Sequence, residues 1–212
     1  MQIDIRWRRE ADRDFPALVW RFPAPMRSIA SGPHDGGLGL RRWVVNAQVP
    51  HSYARRDPAH HLAKLAVSLG LAGRGNGMLT AADVRSFQSV TDEGVEVIAT
   101  VGLGQPILAA ADGAERSWSA AGALGAGTIN LVAVLPERLS DAALVNAVVT
   151  ATEAKVQALL DAGLRATGTA TDAVCILCPG EGSAAEFGGP RSRWGGPLAR
   201  AVHAAVLAGA PS

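Results

Sequence analysis

Cysteine, aromatic residues and excess charge are all scarce in this chain. Cysteine occurs twice in 212 residues, as Cys175 and Cys178. Two thiols fall short of a structural zinc set. Residues three apart on a strand point to opposite faces, so these two do not bridge each other and read as buried core filling. Aromatic residues make up 5% of the chain against 48% apolar residues, which leaves Ala, Val and Leu to do the packing. Lys and Arg number 20 and Asp and Glu 19, for a net charge of +1. That balance excludes the basic footprint of an electrostatic nucleic-acid binder. Arg6, Arg8, Arg9 and Arg13 lie close together, but acidic residues interrupt them, as on a solvated face. No apolar run approaches the ~20 residues of a membrane span, and the opening MQIDIRWRREADRD has no apolar signal region. A cytoplasmic protein without membrane contact is the expectation. GxGxxG, GxxxxGK[ST], GxSxG and HExxH are all missing, so nucleotide-fold and zinc-protease readings lose their usual support.

What is present is a succession of short alternating strands with a few helical stretches. Ile3–Trp7 and Ala17–Phe22 alternate apolar and polar residues, and Met26–Ala30 reads as a further short strand after Pro23 and Pro25. SGPHDGGLG is a turn-rich loop, in which Gly36 and Gly37 suit a hairpin. Arg41–Val49 is a strand with Trp43, Val45 and Ala47 on one face and Asn46 on the other. Asp57-Pro58 opens a helix that runs to about Leu71, with Leu62, Leu65, Ala66 and Leu69 as its buried stripe. His60 and His61 diverge by about 100° around that helix, a poor metal pair, and read as solvent-exposed. Thr80 caps a short turn with Asp83 three residues on. Val84–Val90 and Gly94–Val101 form a hairpin across Asp92-Glu93-Gly94. Gly102 to Gly127 is a long connection rich in small residues, of a length often tied to function.

The organising stretch is Gly127 to Pro179. Two strands, Ile129–Leu135 and Ala173–Cys178, flank one helix from Ser140, its N-cap, to Ala162, with Gly163 ending it. Leu144, Val148, Ala151, Lys155 and Leu159 share one face of that helix, while Glu153 and Lys155, two apart, do not face each other. Leu198–Leu207 is a closing amphipathic helix. Hairpins mixed with crossover helices predict an α+β or α/β fold, a layered sandwich of mixed sheet covered by about three helices. Polar residues crowd both ends of the organising stretch: Thr128 and Asn130 at one, Thr167, Thr169, Thr171 and Asp172 at the other. From the residues alone this is a glycine- and threonine-lined site on an α/β domain.

Several of these stretches form an ordered set that resembles the adenosylcobinamide amidohydrolase family. The set comprises GGL at 36–38, the asparagine in WVVNAQV at 43–49, TAADV at 80–84 and ATVGL at 99–103. It continues with GTIN at 127–130, TEAK at 152–155, ATGTATD at 166–172, and GGP followed by GG between 188 and 196. It runs from about Ser28 to Val206, so the chain is read as a single domain, 1–212. Two places depart from the family pattern: RSRWGG follows GGP where a threonine-containing segment is expected, and Gln105-Pro106 stands after ATVGL in place of an asparagine-alanine pair.

The resemblance implies hydrolysis of the amide between the corrin ring and the aminopropanol arm of adenosylcobinamide, giving adenosylcobyric acid in corrinoid salvage for cobalamin synthesis. The partner it implies is the corrinoid itself, whose cobalt arrives with the substrate; no permanently bound cofactor or metal is expected, and an assisting metal stays open. A homo-oligomer is compatible with all of these features. A weaker resemblance, to the β-peptidyl aminopeptidase class, matches Thr128 to a nucleophile that those enzymes free by self-cleavage. Amide hydrolysis needs an attacking group, a base and an oxyanion donor. The candidates are Thr128, Glu153 and Asp172 for catalysis, with attack by Thr128 or by water activated at Glu153 or Asp172. Asn130, on the same strand face as Thr128, is a candidate oxyanion donor. Substrate contacts are expected from Gly36, Gly37, Asn46, Asn76, Thr80, Asp83, Asn130, Lys155, Thr169 and Thr171. The alternatives are a non-catalytic corrinoid-binding protein and another small-molecule amidase with a threonine nucleophile.

Overall fold

A computed structural model describes residues 2–10, 12–112 and 127–210. Most of the small-residue connection, residues 113–126, lies outside the described residues. Strand β1 is Asp4–Glu10 and β2 is Arg13–Ala30, an 18-residue strand that absorbs what the sequence predicts as two. Pro23 and Pro25 lack ladder donors, and the pairing of β2 with the next strand slips between Arg21 and Met26. The prolines thus make an irregularity in one strand instead of a boundary between two. Strand β3, Gly37–Gln48, is followed by helix α1, Pro58–Ser68.

Strand β4, Gly75–Thr80, runs parallel to β3 and has no signal in the pattern, since GNGMLT is poor in strand formers. Packing explains its composition: a Cβ at Gly75 would fall inside the Trp43 indole. A single 3₁₀ turn, Val84–Ser86, stands where the sequence predicts a strand to begin. Asp83 caps that turn by accepting from the Arg85 amide, so the cap lies three residues after Thr80. Strands β5, Gln88–Asp92, and β6, Val95–Val101, then form the expected hairpin, with Glu93 and Gly94 both at positive φ (46° and 86°). Strand β7 is Ile129–Val134, helix α2 Asp141–Asp161, strand β8 Ala173–Pro179 and helix α3 Gly195–Gly209. Ser140 caps α2 as expected, its side chain accepting from the Ala143 amide, and Gly163 follows the helix at φ +78°.

All eight strands join one mixed sheet in the order β4-β3-β2-β8-β7-β6-β5, with β1 on β2 beside the N-terminal part of that strand. β2 continues past β1 to pair with β8 through Met26–Ala30. The sheet folds over on itself around this long strand. Leu18, Trp20, Val44 and Met78 from one half pack against Ile98, Val132, Cys175 and Leu177 from the other. Helix α1 covers the outer face of the first half through Leu62, Leu65 and Ala66. α2 and α3 cover the outer face of the second. The result is an α+β layered fold.

Period-two alternation sorts the cysteines as the sequence predicts: Cys175 faces the layer between the half-sheets and Cys178 faces the helices. Both are buried and free, and burial pushes the Cys175 thiol up to about 12. His60 is exposed as expected; His61 is not. The first turn of α1 reaches the end of β1, and His61 is buried with Nδ1 bonded to the Tyr53 hydroxyl (2.9 Å) and Nε2 to Glu10 (3.0 Å). The divergence of the two imidazoles that argues against a shared metal is also what turns one of them inward. The Asp57 carboxylate, although placed at the N-cap, binds Arg55 and leaves the helix amides alone.

Candidate functional site

The first residues of β7 and β8 lie side by side in parallel register, Asn130 opposite Ala173. Alternation along each strand divides their polar residues between two faces. On the helix side, Asp172 is the hub. Its Oδ1 accepts from the Ile129 amide (2.9 Å) and the Thr169 hydroxyl (2.6 Å). Its Oδ2 accepts from the Thr169 amide (3.1 Å) and from Lys155 Nζ (2.6 Å). Lys155 reaches it from the buried face of α2, and both side chains are about nine-tenths buried. Gly168 permits this closeness, because a Cβ there would collide with Asp172 Oδ2 and would lie 2.5 Å from Lys155 Nζ. A cavity of about 240 Å³ opens beside the pair, lined by Ile107, Thr152, Lys155, Val156, Thr169 and Asp172 among others.

On the opposite face, toward the layer between the half-sheets, stand Thr128 and Asn130. Thr128 is 4% exposed, and its Oγ1 lies 2.7 Å from Thr171 Oγ1, which itself donates to the Gly127 carbonyl (3.3 Å). Either hydroxyl can be the donor between the two: Thr171 has one proton, and when it goes to Gly127 the donor is Thr128. Gly127 is required where it stands: a Cβ there would lie 2.5 Å from the Gly102 carbonyl oxygen.

Two residues on, Asn130 Nδ2 donates to Asn46 Oδ1 on β3 (2.8 Å) and to the Leu79 carbonyl on β4 (2.9 Å). Asn46 Nδ2 in turn donates to Thr100 Oγ1 on β6 (2.9 Å). The apolar layer between the half-sheets therefore ends in a polar cap made by four strands. Asn130 Oδ1 has no partner among the described residues. Both hydrogens on Nδ2 are committed, so the oxyanion role expected of Asn130 would cost one of these bonds, and what the side chain has free is an acceptor.

The other expected residues separate from this group. Glu153 is exposed on α2. Two residues from Lys155, it lies about 200° around the helix, facing away from the sheet. It has no hydrogen bond or ion pair among the described residues, and the fold does not bring it together with Thr128 or Asp172. Asp83 is spent on its own turn and on Arg85, whose hydrogen bonds hold the carboxyl below its ordinary range. Thr80 is buried and accepts from the Ala82 amide (3.0 Å). Gly36 and Gly37 form the exposed β2–β3 turn, Gly37 at φ +80°, and roughly 30 Å of strand separates them from Asn46. Asn76 belongs with that turn, its Nδ2 donating to the His34 carbonyl (3.0 Å). Among the described residues no three His, Cys, Asp or Glu side chains are placed to hold a metal ion, and no helix is long and apolar enough to cross a membrane.

Thr100 is the site residue that the pattern reading passed over. Its signal lay in β6, where it alternates with Ile98 on the inward face and sits in the ATVGL stretch.

The model of a family described as adenosylcobinamide amidohydrolase matches residues 4–212, nearly the whole chain. The chain belongs to the adenosylcobinamide amidohydrolase family. A protein of that name from Methanosarcina mazei is 29% identical over 184 residues, covering 82% of this chain and 86% of its own. Another from Halobacterium salinarum is 31% identical over 193 residues, covering 90% of this chain and 83% of its own. The chain is thus an enzyme acting on an amide, and the non-catalytic reading of the fold gives way. The stretches that carry the polar residues lie far apart in this sequence. Here Asn46, Thr100, Thr128, Asn130, Lys155 and Asp172 come together around the starts of two adjacent strands.

Proposed function

We propose that this enzyme cleaves the amide joining the corrin ring to the aminopropanol arm of adenosylcobinamide, giving adenosylcobyric acid and the free amino alcohol. The setting we propose is cytoplasmic salvage of incomplete corrinoids, with cobalt carried in by the substrate. The observation that carries this reading is the convergence of GTIN, ATVGL, ATGTATD and the WVVNAQV asparagine on one polar cap, within a chain that matches the family throughout. In the overall reaction the oxygen of water bonds to the carbonyl carbon and the C–N bond breaks. One proton passes to the departing nitrogen. Thr128 is the attacking group in this proposal: its hydroxyl faces the cap, and with the Thr171 proton on the Gly127 carbonyl its lone pairs are free to attack. Attack by Oγ1 gives an ester, its proton leaving with the amine, and a water then cleaves the ester and restores the hydroxyl. Asp172 and Lys155 act as positioning residues, since Asp172 holds the Ile129 amide beside Thr128 from the helix side. Folded protein incubated with adenosylcobinamide should yield adenosylcobyric acid by chromatography; no product across a range of added metals overturns the proposal.

Glu153, an expected base, is better placed as a surface residue of α2. Glu153→Gln should leave kcat/KM within about threefold of wild type, as for surface substitutions remote from a site. A fall of 100-fold would return it to the mechanism.

One observation favours a second route to an active Thr128. Thr171 Oγ1 bonds both to Thr128 Oγ1 and to the carbonyl of the Gly127–Thr128 peptide bond, a placement that polarises this bond next to a hydroxyl. Hydrolysis there would create an α-amine on Thr128, with an ordinary pKa of about 8, directly beside Oγ1 as its base. Intact-mass measurement tests this. Two pieces, one ending at Gly127 and one beginning at Thr128, support self-processing; a single mass for the whole 212-residue chain in active enzyme overturns it.

A further inference from the structure

We propose that Asn130 Oδ1 is the acceptor for the N–H of the scissile amide, which makes the site selective for amides that carry hydrogen on nitrogen. This rests on the hydrolytic reading above and assigns the atom that meets the leaving nitrogen.

The orientation of the Asn130 side chain follows from its neighbours. A carbonyl can only accept, so the Asn130 atom 2.9 Å from the Leu79 oxygen is Nδ2. Its second hydrogen goes to Asn46 Oδ1, and Asn46 spends its own amide on Thr100. Oδ1 is left over, in a residue 1% exposed, without a partner among the described residues. Such an acceptor is costly to bury, and most are met by some donor. Asn76 Oδ1 is likewise unmet, but it faces Gly32 so closely that a Cβ there would lie 2.9 Å from it, and it is not near Thr128.

Asn130 differs in its place. It follows Thr128 by two residues on the same face of β7, so their Cα atoms are roughly 7 Å apart. One planar amide spans such a gap. An amide laid along this face can meet Oγ1 through its carbonyl carbon and Oδ1 through its N–H, whose nitrogen lies ~1.3 Å further on. When the C–N bond breaks, the departing amine keeps this hydrogen and gains another, so the contact persists into the product. An ester sets oxygen lone pairs against those of Oδ1, and an N-methyl amide sets carbon there.

The test compares adenosylcobinamide with its ester counterpart, in which oxygen replaces the arm N–H. Asn130→Ala should lower kcat/KM for the amide by about 100-fold and for the ester far less, the scale on which a polar site rejects an analogue lacking its partner group. Asn46→Ala, which keeps Asn130 Oδ1, should affect both substrates alike. An amide-to-ester ratio unchanged by Asn130→Ala overturns the proposal. Should that variant fail to fold, the wild-type enzyme decides: an N-methylated arm amide should be cleaved at least about 100-fold more slowly than the parent. Equal rates on the two overturn the acceptor role. Absence of any turnover by folded wild type overturns the functional reading itself, whereas turnover with unchanged selectivity overturns only this inference.

Discussion

Thr128→Ala should lower kcat by about 100-fold or more with little change in stability, the scale of a lost nucleophile or of its proton chemistry. The residue loses one hydroxyl and one hydrogen bond, to Thr171, whose own proton still goes to the Gly127 carbonyl. Removing a single neutral hydrogen bond costs about 1 kcal/mol, small against the stability of a domain. A melting temperature near that of wild type together with collapsed turnover is therefore the expected pair of results. Thr128→Ser, which keeps Oγ, should retain most of the activity. Wild-type turnover in the alanine variant would remove Thr128 from the chemistry and leave attack to water.

The second large effect is structural in origin. Asp172→Ala should destabilise the fold by about 3–5 kcal/mol, because it leaves the Lys155 ammonium buried against α2 with no counter-charge. For a chain of this length each kcal/mol moves Tm by about 2–4 °C, so thermal unfolding should come roughly 10 °C earlier. The Ile129 amide and both Thr169 donors lose their acceptor in the same step. Turnover should fall as well, since the backbone beside Thr128 is no longer gripped. Lys155→Met combined with Asp172→Asn should recover much of the stability without the activity. A Tm for Asp172→Ala within a degree of wild type would show that Asp172 does not carry the strand start.

Much of the organising stretch was legible in the sequence, for identifiable reasons. Ser140 and Gly163 bound α2 because cap residues act locally, and the spacing of Leu144, Ala151, Lys155 and Leu159 fixes its inward face. The opposed cysteines follow from the two-residue repeat alone. What escaped was set by contacts between distant segments. β4 is a strand because Gly75 and Gly77 fit under Trp43 and Leu62, which no local pattern in GNGMLT announces. His61 is held inward by Glu10, 51 residues away at the end of β1, and by Tyr53. The polar group was partly visible as threonines and asparagines near glycines. The outward position of Glu153 follows from its two-residue offset from Lys155, whereas the division of that group between two sheet faces and the spent donors of Asn130 needed the assembled layers.

The alternation at the start of β7 has a consequence for how this enzyme tolerates change in chain length. Thr128 and Asn130 look into the cap, while the Ile129 amide is fastened from behind by Asp172. Inserting one residue between Thr128 and Asn130, or deleting Ile129, would exchange front and back, turning the hydroxyl toward the helices. A side-chain replacement on this strand removes one group and leaves the other residues on their faces. Its residue count, by contrast, is an all-or-none property.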